Sequence, residues 1–310
     1  MKNIALVVAA LLFTQALFAQ DAGETESSQS LLLQISTLPE AKLTFTQQFK
    51  IPFLQGNNSL TEGNNINLEL RGELTPISLN GLFEAVLTPI AFFEFALGGR
   101  IGSGWNINLF GGDIYGIGLN TKDEPNKADK DAKAFDGALW EAHAGGAIQF
   151  DLAAIIPGDW NHVVFRSYHE INHKTYSRAG KTESWYYEDD FGENCNGLNY
   201  YGNLLLGYRM PIFLDTVALL AEGDLYLYNK NWGDARTKWG DDRIRWTFAF
   251  VLSFTITEKF GAALITQVRT MRNFTQSNWE QLHYRERVLD TSDPLRLEFY
   301  RVVLALTYKF

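Results

Sequence analysis

The sequence predicts an all-β fold, a closed antiparallel transmembrane β-barrel of about twelve strands. Three observations lead there: segment after segment alternates with period two, the connectors alternate in length, and the chain offers no helical membrane span. Of its 310 residues 46% are hydrophobic and 20% charged, and the formal net charge is −9. That apolar content excludes a disordered chain. No apolar run approaches the ~18 residues that a spanning helix needs. An acidic excess argues against a nucleic-acid partner, because phosphate binding relies on Lys and Arg clusters. The single cysteine, Cys195, excludes an internal disulfide framework and reads as a free thiol.

Taken in chain order, residues 1–19 read as a secretory signal peptide. Lys2 supplies the positive start, Ile4 to Phe13 is unbroken apolar chain, and Ala16 to Ala19 offers a small residue before a polar start. Residues 20–40 read as an N-terminal lead-in, acidic and Ser-rich from Asp21 to Ser30. The barrel is expected over 41–310.

Within it, Ile66, Leu68, Leu70 and Leu74 are interleaved with Asn67, Glu69, Arg71 and Glu73. Only a strand with two different faces explains that period. A longer stripe runs from Ile244 through Trp246, Phe248, Phe250, Leu252 and Phe254 to Ile256, which suits a lipid-facing strand. The same reading places strands near 42–53, 65–75, 79–88, 91–102, 105–119, 135–152, 161–173, 198–210, 216–230, 243–256, 260–273 and 295–310.

From the fifth strand onward the connectors sort by parity. Residues 120–134, 174–197, 229–242 and 273–294 are long and polar, whereas 154–160, 211–215 and 257–259 are short. A membrane barrel explains this, with short periplasmic turns and long extracellular loops. Two consecutive short connectors between Thr88 and Trp105 leave ten strands open as an alternative. An exported chain with lipid-facing stripes must also close on itself, because hydrocarbon leaves no partner for an unpaired backbone group. Trp140, Trp160, Trp246, Tyr200, Tyr208 and Tyr300 are expected in the interfacial belts. Gly98, Gly99, Gly111, Gly112, Gly145 and Gly146 are expected at bulges or tight curvature.

The other face of the alternation carries Glu69, Glu73, Glu84, Glu94, Glu141, Asp151, Glu170, Glu222 and Asp224 against Arg71, Arg100, Arg166, Arg209, Arg243, Arg245, Arg269 and Arg301. Arg rather than Lys favours bidentate carboxylate pairing in a confined space. Twelve strands enclose little more than a side-chain-filled interior, so the expected lumen is crossed by Arg–carboxylate networks. A narrow pore for small solutes stays open beside it.

In the last strand Tyr300, Val302, Leu304, Leu306, Tyr308 and Phe310 fall on one face, and the chain stops on phenylalanine. This resembles the C-terminal strand of Gram-negative and spirochaetal outer-membrane β-barrels, where such a strand is the signal read by the barrel assembly machinery. The resemblance implies an outer-membrane location, with that machinery and the membrane lipids as partners. The stretch Phe165 to Glu170, with Phe191 to Asn194 and Asn199 to Gly202, is similar to a family of treponemal outer-membrane proteins. That likeness implies fold and location and assigns no activity.

Chemistry is sparse. Ser167, His169 and His173 share one face near the outer end of a strand, with Glu170 and Asn172 on the other. A serine and a histidine two apart project together, and the imidazole could serve as base for the hydroxyl. The pair loosely resembles the outer-membrane phospholipase, whose serine and histidine are also two apart at the lipid-facing rim, though in reverse order. His169 and His173 lie roughly 13 Å apart along a strand, too far for one ion. Glu188, Asp189, Asp190 and Glu193 lack the spacing of a calcium loop and read as a solvated acidic loop. No cofactor and no metal site is expected. The expected role is structural or surface-interacting, with any extracellular ligand met by the long loops; a narrow pore and a rim-sited lipid hydrolase are the alternatives.

Overall fold

The computed structural model describes residues 25–38, 40–109, 112–120, 134–180, 183–188, 192–227, 238–279 and 286–310. The expected signal peptide lies outside them. In chain order the strands are β1 (Glu26–Ser36), β2 (Ala41–Pro52), β3 (Asn65–Leu74), β4 (Ser78–Ile90), β5 (Phe93–Gly104), β6 (Ile107–Leu109), β7 (Gly112–Ile114) and β8 (Ile117–Leu119), followed by β9 (Leu139–Asp151), β10 (His162–Tyr176), β11 (Ser184–Tyr187) and β12 (Asn194–Cys195). The last five are β13 (Gly197–Arg209), β14 (Leu214–Tyr226), β15 (Arg245–Thr255), β16 (Phe260–Arg272) and β17 (Leu295–Lys309).

Twelve of these close an antiparallel barrel in the order β1-β17-β16-β15-β14-β13-β10-β9-β5-β4-β3-β2. Closure joins the two ends of the chain: Ser30 to Ser36 of β1 pair with Lys309 to Val303 of β17. Every wall strand thus has two neighbours, which is what removes the unpaired edge.

The count of twelve agrees with the sequence through two compensating differences. The barrel begins at Glu26, inside the expected lead-in, because Leu31, Leu33 and Ile35 form a short apolar stripe that pairs on both sides. Residues 105–119 do not form a wall strand. They break into β6, β7 and β8, of which β6 pairs with β7 and β8 pairs with β11, away from the barrel sheet.

Glu26, at the start of β1, and Phe310 lie on one side of the barrel, its termini side. That side also carries connectors 53–64, 91–92, 152–161, 210–213 and 256–259. The opposite, loop side carries 37–40, 75–77, 105–138, 177–196, 227–244 and 273–294. The length rule therefore holds from β5 onward, whereas among β1 to β4 it is reversed: the loop-side turns 37–40 and 75–77 are short and the longer connector, 53–64, lies on the termini side.

The outside is apolar, as alternation demands of a wall in hydrocarbon. Leu97, Ile148, Leu206, Leu219 and Phe250 all point away from the lumen and are exposed. At the termini side Trp160 and Tyr208 meet, the Tyr208 hydroxyl donating to the Trp160 carbonyl at 2.8 Å. Tyr308 and Phe310 are in edge contact at 5.2 Å on the same side. Trp140 and Trp246 are each the second residue of a strand entering from the loop side. These positions make two aromatic girdles.

The glycines mark no bulge at 98, 99, 145 or 146, where pairing runs on in register. The irregularities fall at Leu87/Ile90, Leu214/Thr216 and Gln267/Val268. The last of these turns Tyr300 around. Arg301 pairs with Gln267 and Phe299 with Val268, so Tyr300 is the extra residue. Its ring lies under the Arg269 and Arg301 guanidiniums at 4.1 and 4.6 Å. Tyr300 is thus inside, neither a belt residue nor part of the outward C-terminal stripe, and Phe299 and Leu297 take the outward face at 60% and 64% exposure.

Candidate functional site: the roofed lumen

Most of the charged side chains on the lumen face of the wall are paired with one another. Arg71 bonds Glu84 at 2.9 Å and Glu69 at 3.1 Å. Arg166 reaches Glu94 at 2.9 Å, Arg269 reaches Glu298 at 2.9 Å, and Arg100 reaches Glu73 at 3.4 Å. Arg301 donates to Gln267 at 2.7 Å and also meets Glu40. Asp151 accepts from His162 at 2.8 Å, Glu222 accepts from the Tyr201 hydroxyl at 2.6 Å, and Arg245 lies over the Tyr226 ring at 4.2 Å. Arg209 and Asp224 line lumen cavities. Arg243 does not belong to this set: β15 starts at Arg245, which leaves Arg243 exposed in a turn.

The loop side holds a packed core of its own. Ile117 of β8, Leu139 at the start of β9, Tyr176 at the end of β10, and Trp185 and Tyr187 of β11 form one buried apolar cluster, with Trp185 and Leu139 at 0% exposure. The loop that carries β11 and β12 is stapled at its base by Asn196. The Asn196 Oδ1 accepts from the Tyr176 amide at 2.8 Å and the Trp185 Nε1 at 3.0 Å, while its Nδ2 donates to the carbonyls of Ala179 and Tyr176 at 2.9 and 3.1 Å.

From that base the loop reaches the wall at opposite places. Toward β4 and β5, the Tyr187 hydroxyl meets Asn80, the Arg100 guanidinium lies 5.1 Å from the Tyr187 ring, and Glu188 accepts from Ser78 at 2.6 Å and Asn80 at 3.3 Å. Burial pushes the Tyr187 phenol above its ordinary value. Toward β16, Glu193 accepts from Arg272 and, at 3.0 Å, from Arg287. Arg272 also donates to Asp241 and, at 2.7 Å, to the Trp239 carbonyl. Glu188 and Glu193 therefore do not belong to a solvated acidic loop. Buried guanidiniums and hydroxyls draw them inward, since a carboxylate leaves water only where such partners replace it. Asp189 and Asp190 lie outside the described residues. Cys195 is buried in the same roof, its thiol donating to the Glu193 carbonyl at 3.8 Å.

Below the roof is a cavity of about 430 Å³ lined by Glu141, Glu170, Asn172, Tyr201, Asp224 and Arg245, with Glu193 and Asn194 on its roof side. A second, of about 570 Å³, lies at the termini side among His162, Arg209, Asp215 and Lys309.

Ser167 and His169 do come together. The Ser167 Oγ and His169 Nε2 are 2.8 Å apart, and the His169 Nδ1 is 2.6 Å from the Tyr200 hydroxyl of β13, a partner the sequence did not single out. Gly202, opposite His169 in register, leaves the room: a Cβ there would lie 2.5 Å from the Tyr200 oxygen. The cluster sits at the middle of β10 on the lipid-facing wall, and not at the rim, because that strand runs on to Tyr176. Ester carbonyls lie at the edges of an apolar band roughly 25 Å tall, half a band away. What the three groups do there is satisfy one another where no water can.

The fold resembles outer-membrane β-barrels. The β domain of the Bordetella autotransporter BrkA aligns over 94% of this chain and 100% of its own, with a TM-score of 0.39 and 10% identity. The KdgM porin, solved in complex with disordered oligogalacturonate, aligns over 92% and 99%, with a TM-score of 0.37 and 9% identity. BamA from Haemophilus ducreyi lacking POTRA domains 1-3 aligns over 93% and 71%, with a TM-score of 0.35 and 8% identity. No family model matches the chain, and no curated protein matches it.

Proposed function

We propose that the chain is an outer-membrane β-barrel with a structural or surface-interaction role, its termini in the periplasm and its loop-side mouth held shut by its own loops. The observation that carries this reading is the roof: an apolar core around Trp185 joined to both sides of the barrel through Glu188 and Glu193. A freely conducting pore has no use for a buried hydrophobic core across its mouth. The apolar exterior and the two girdles support the membrane setting, with lipids as its immediate partners, and the outward stripe Val302, Leu304, Leu306, Tyr308, Phe310 supports handling by the barrel assembly machinery. The extracellular loops are the surface that would meet an external ligand.

Single-channel recording in planar bilayers tests it. The refolded protein is expected to give no sustained conductance, whereas Glu193→Ala, which removes the carboxylate that Arg272 and Arg287 share, is expected to give stepwise openings. A steady open state in the unaltered protein, equal to that of the variant, would establish the narrow pore instead.

A further inference from the structure

We propose that Glu141, His143 and Glu170 form a binding site for one divalent transition-metal cation of the zinc class inside the barrel. Strand β9 brings Glu141 and His143 to the inward face two residues apart, and β10 sets Glu170 diagonally across from His143, opposite Gly145. One oxygen from each carboxylate and one ring nitrogen lie within 4.8 Å of one another. Binding needs the donors to close by about 1 to 2 Å, to the spacing of ligands at roughly 2 Å from the ion, a shift within side-chain reach.

Two features separate this group from the ion pairs around it. Glu69, Glu73, Glu84, Glu94 and Glu298 each have an arginine within ion-pair distance, whereas Glu141, opposite Arg100 and Lys174 in register, feels the Arg100 charge without a close ion pair to it. The nearby cations are turned elsewhere, Arg100 over the Tyr187 ring and Lys174 over the Trp185 ring at 5.1 and 6.0 Å. Secondly, buried polar atoms without partners gather here. The His143 Nε2 is buried with no partner, and so is the Oδ1 of Asn172, a residue 8% exposed that faces His143 in register. Buried polar atoms are otherwise almost always satisfied, and a neutral imidazole, two carboxylates and an amide oxygen together are groups that a cation attracts.

The backbone accommodates the arrangement. A Cβ on Gly98, which pairs with His143, would lie 2.6 Å from the imidazole, so glycine seats the ring. The Tyr168 hydroxyl donates to one Glu170 oxygen at 2.6 Å and the Asn172 amide to the other at 3.1 Å, which fixes the carboxylate as outer hydrogen bonds do in metal centres. One imidazole with two carboxylates and an open position suits zinc or its neighbours better than an all-oxygen calcium cage. This site does not depend on the closed mouth, because it is read by metal binding and the mouth by conductance.

Equilibrium dialysis of the refolded, chelator-stripped protein against Zn²⁺, with elemental analysis, is the test. One saturable equivalent is expected, weakened at least about tenfold by His143→Ala and by Glu141→Gln and unchanged by His169→Ala. No saturable binding, or binding that survives His143→Ala in a barrel still showing heat-modifiable gel mobility, overturns the site. Should the lumen variants fail to fold, the Co²⁺ complex of the unaltered protein decides: intense visible bands of a four- or five-coordinate ion support the site, and the faint spectrum of the hydrated ion overturns it.

Discussion

Glu193 and Trp185 have the largest single-residue consequences. Glu193 is one carboxylate serving two buried guanidiniums, and removing the shared partner of buried charges costs about 3 to 5 kcal/mol. Trp185→Ala empties the roof core at a cost of about 3 to 5 kcal/mol. Both substitutions are expected to open the mouth while the barrel keeps its heat-modifiable mobility, which gel electrophoresis beside bilayer recording will show. Tyr187 adds a pH dependence. Its folded value is raised by burial, so the roof keeps its full stability below the ordinary phenol value of about 10 and loses it as pH rises above that. Conductance should therefore appear in the alkaline range, and Tyr187→Phe should blunt that dependence. At the lipid-facing cluster, Ser167→Ala is expected to leave fatty-acid release from mixed phospholipid micelles unchanged at background. Release that vanishes with the hydroxyl would revive the hydrolase reading.

Strand β1 is the element with most at stake. It is the one piece of wall that joins the chain's two ends, and without it β2 and β17 would present bare edges to hydrocarbon. Removal of residues 26–36 is expected to abolish heat-modifiable mobility and assembly into membranes, whereas a chain starting at Gln20 should fold. This strand was the least legible in the sequence. Its N-terminal half is Glu, Ser and Gln, and its apolar stripe is only Leu31, Leu33 and Ile35, partly masked by Leu32 between them. By contrast β3, β15 and β17 were legible because a wall with lipid on one side and ions on the other forces strict alternation along many residues. Residues 105–119 alternate too, yet glycines and the pairing of β8 with β11 turn them into the roof. Register along β17 was readable back to Val302 and no further, since a bulge leaves no mark in the pattern of residue types.

At the scale of the molecule, the wall and the lumen charges follow from periodicity, but the roof does not. It joins residues more than a hundred positions apart, Ser78 to Glu188 for one, and loop sequence alone carries no period that would bring them together. The same holds for the partners that complete the lumen network, Glu40, Glu298, Arg272 and Arg287, which sit at strand ends or in connectors. A barrel closed by inward-folded loops combines a rigid wall, set by alternation, with a cap held by a few long-range ion pairs and one apolar core. The cap is the part that could open without loss of the fold.

Cys195 reports on that cap directly, being 1% exposed beneath it. Reaction of the folded protein, reconstituted in vesicles, with a membrane-impermeant maleimide should leave Cys195 unlabelled, and Glu193→Ala should expose it. Labelling of the unaltered folded protein as fast as the heat-unfolded chain would contradict a mouth roofed by its own loops.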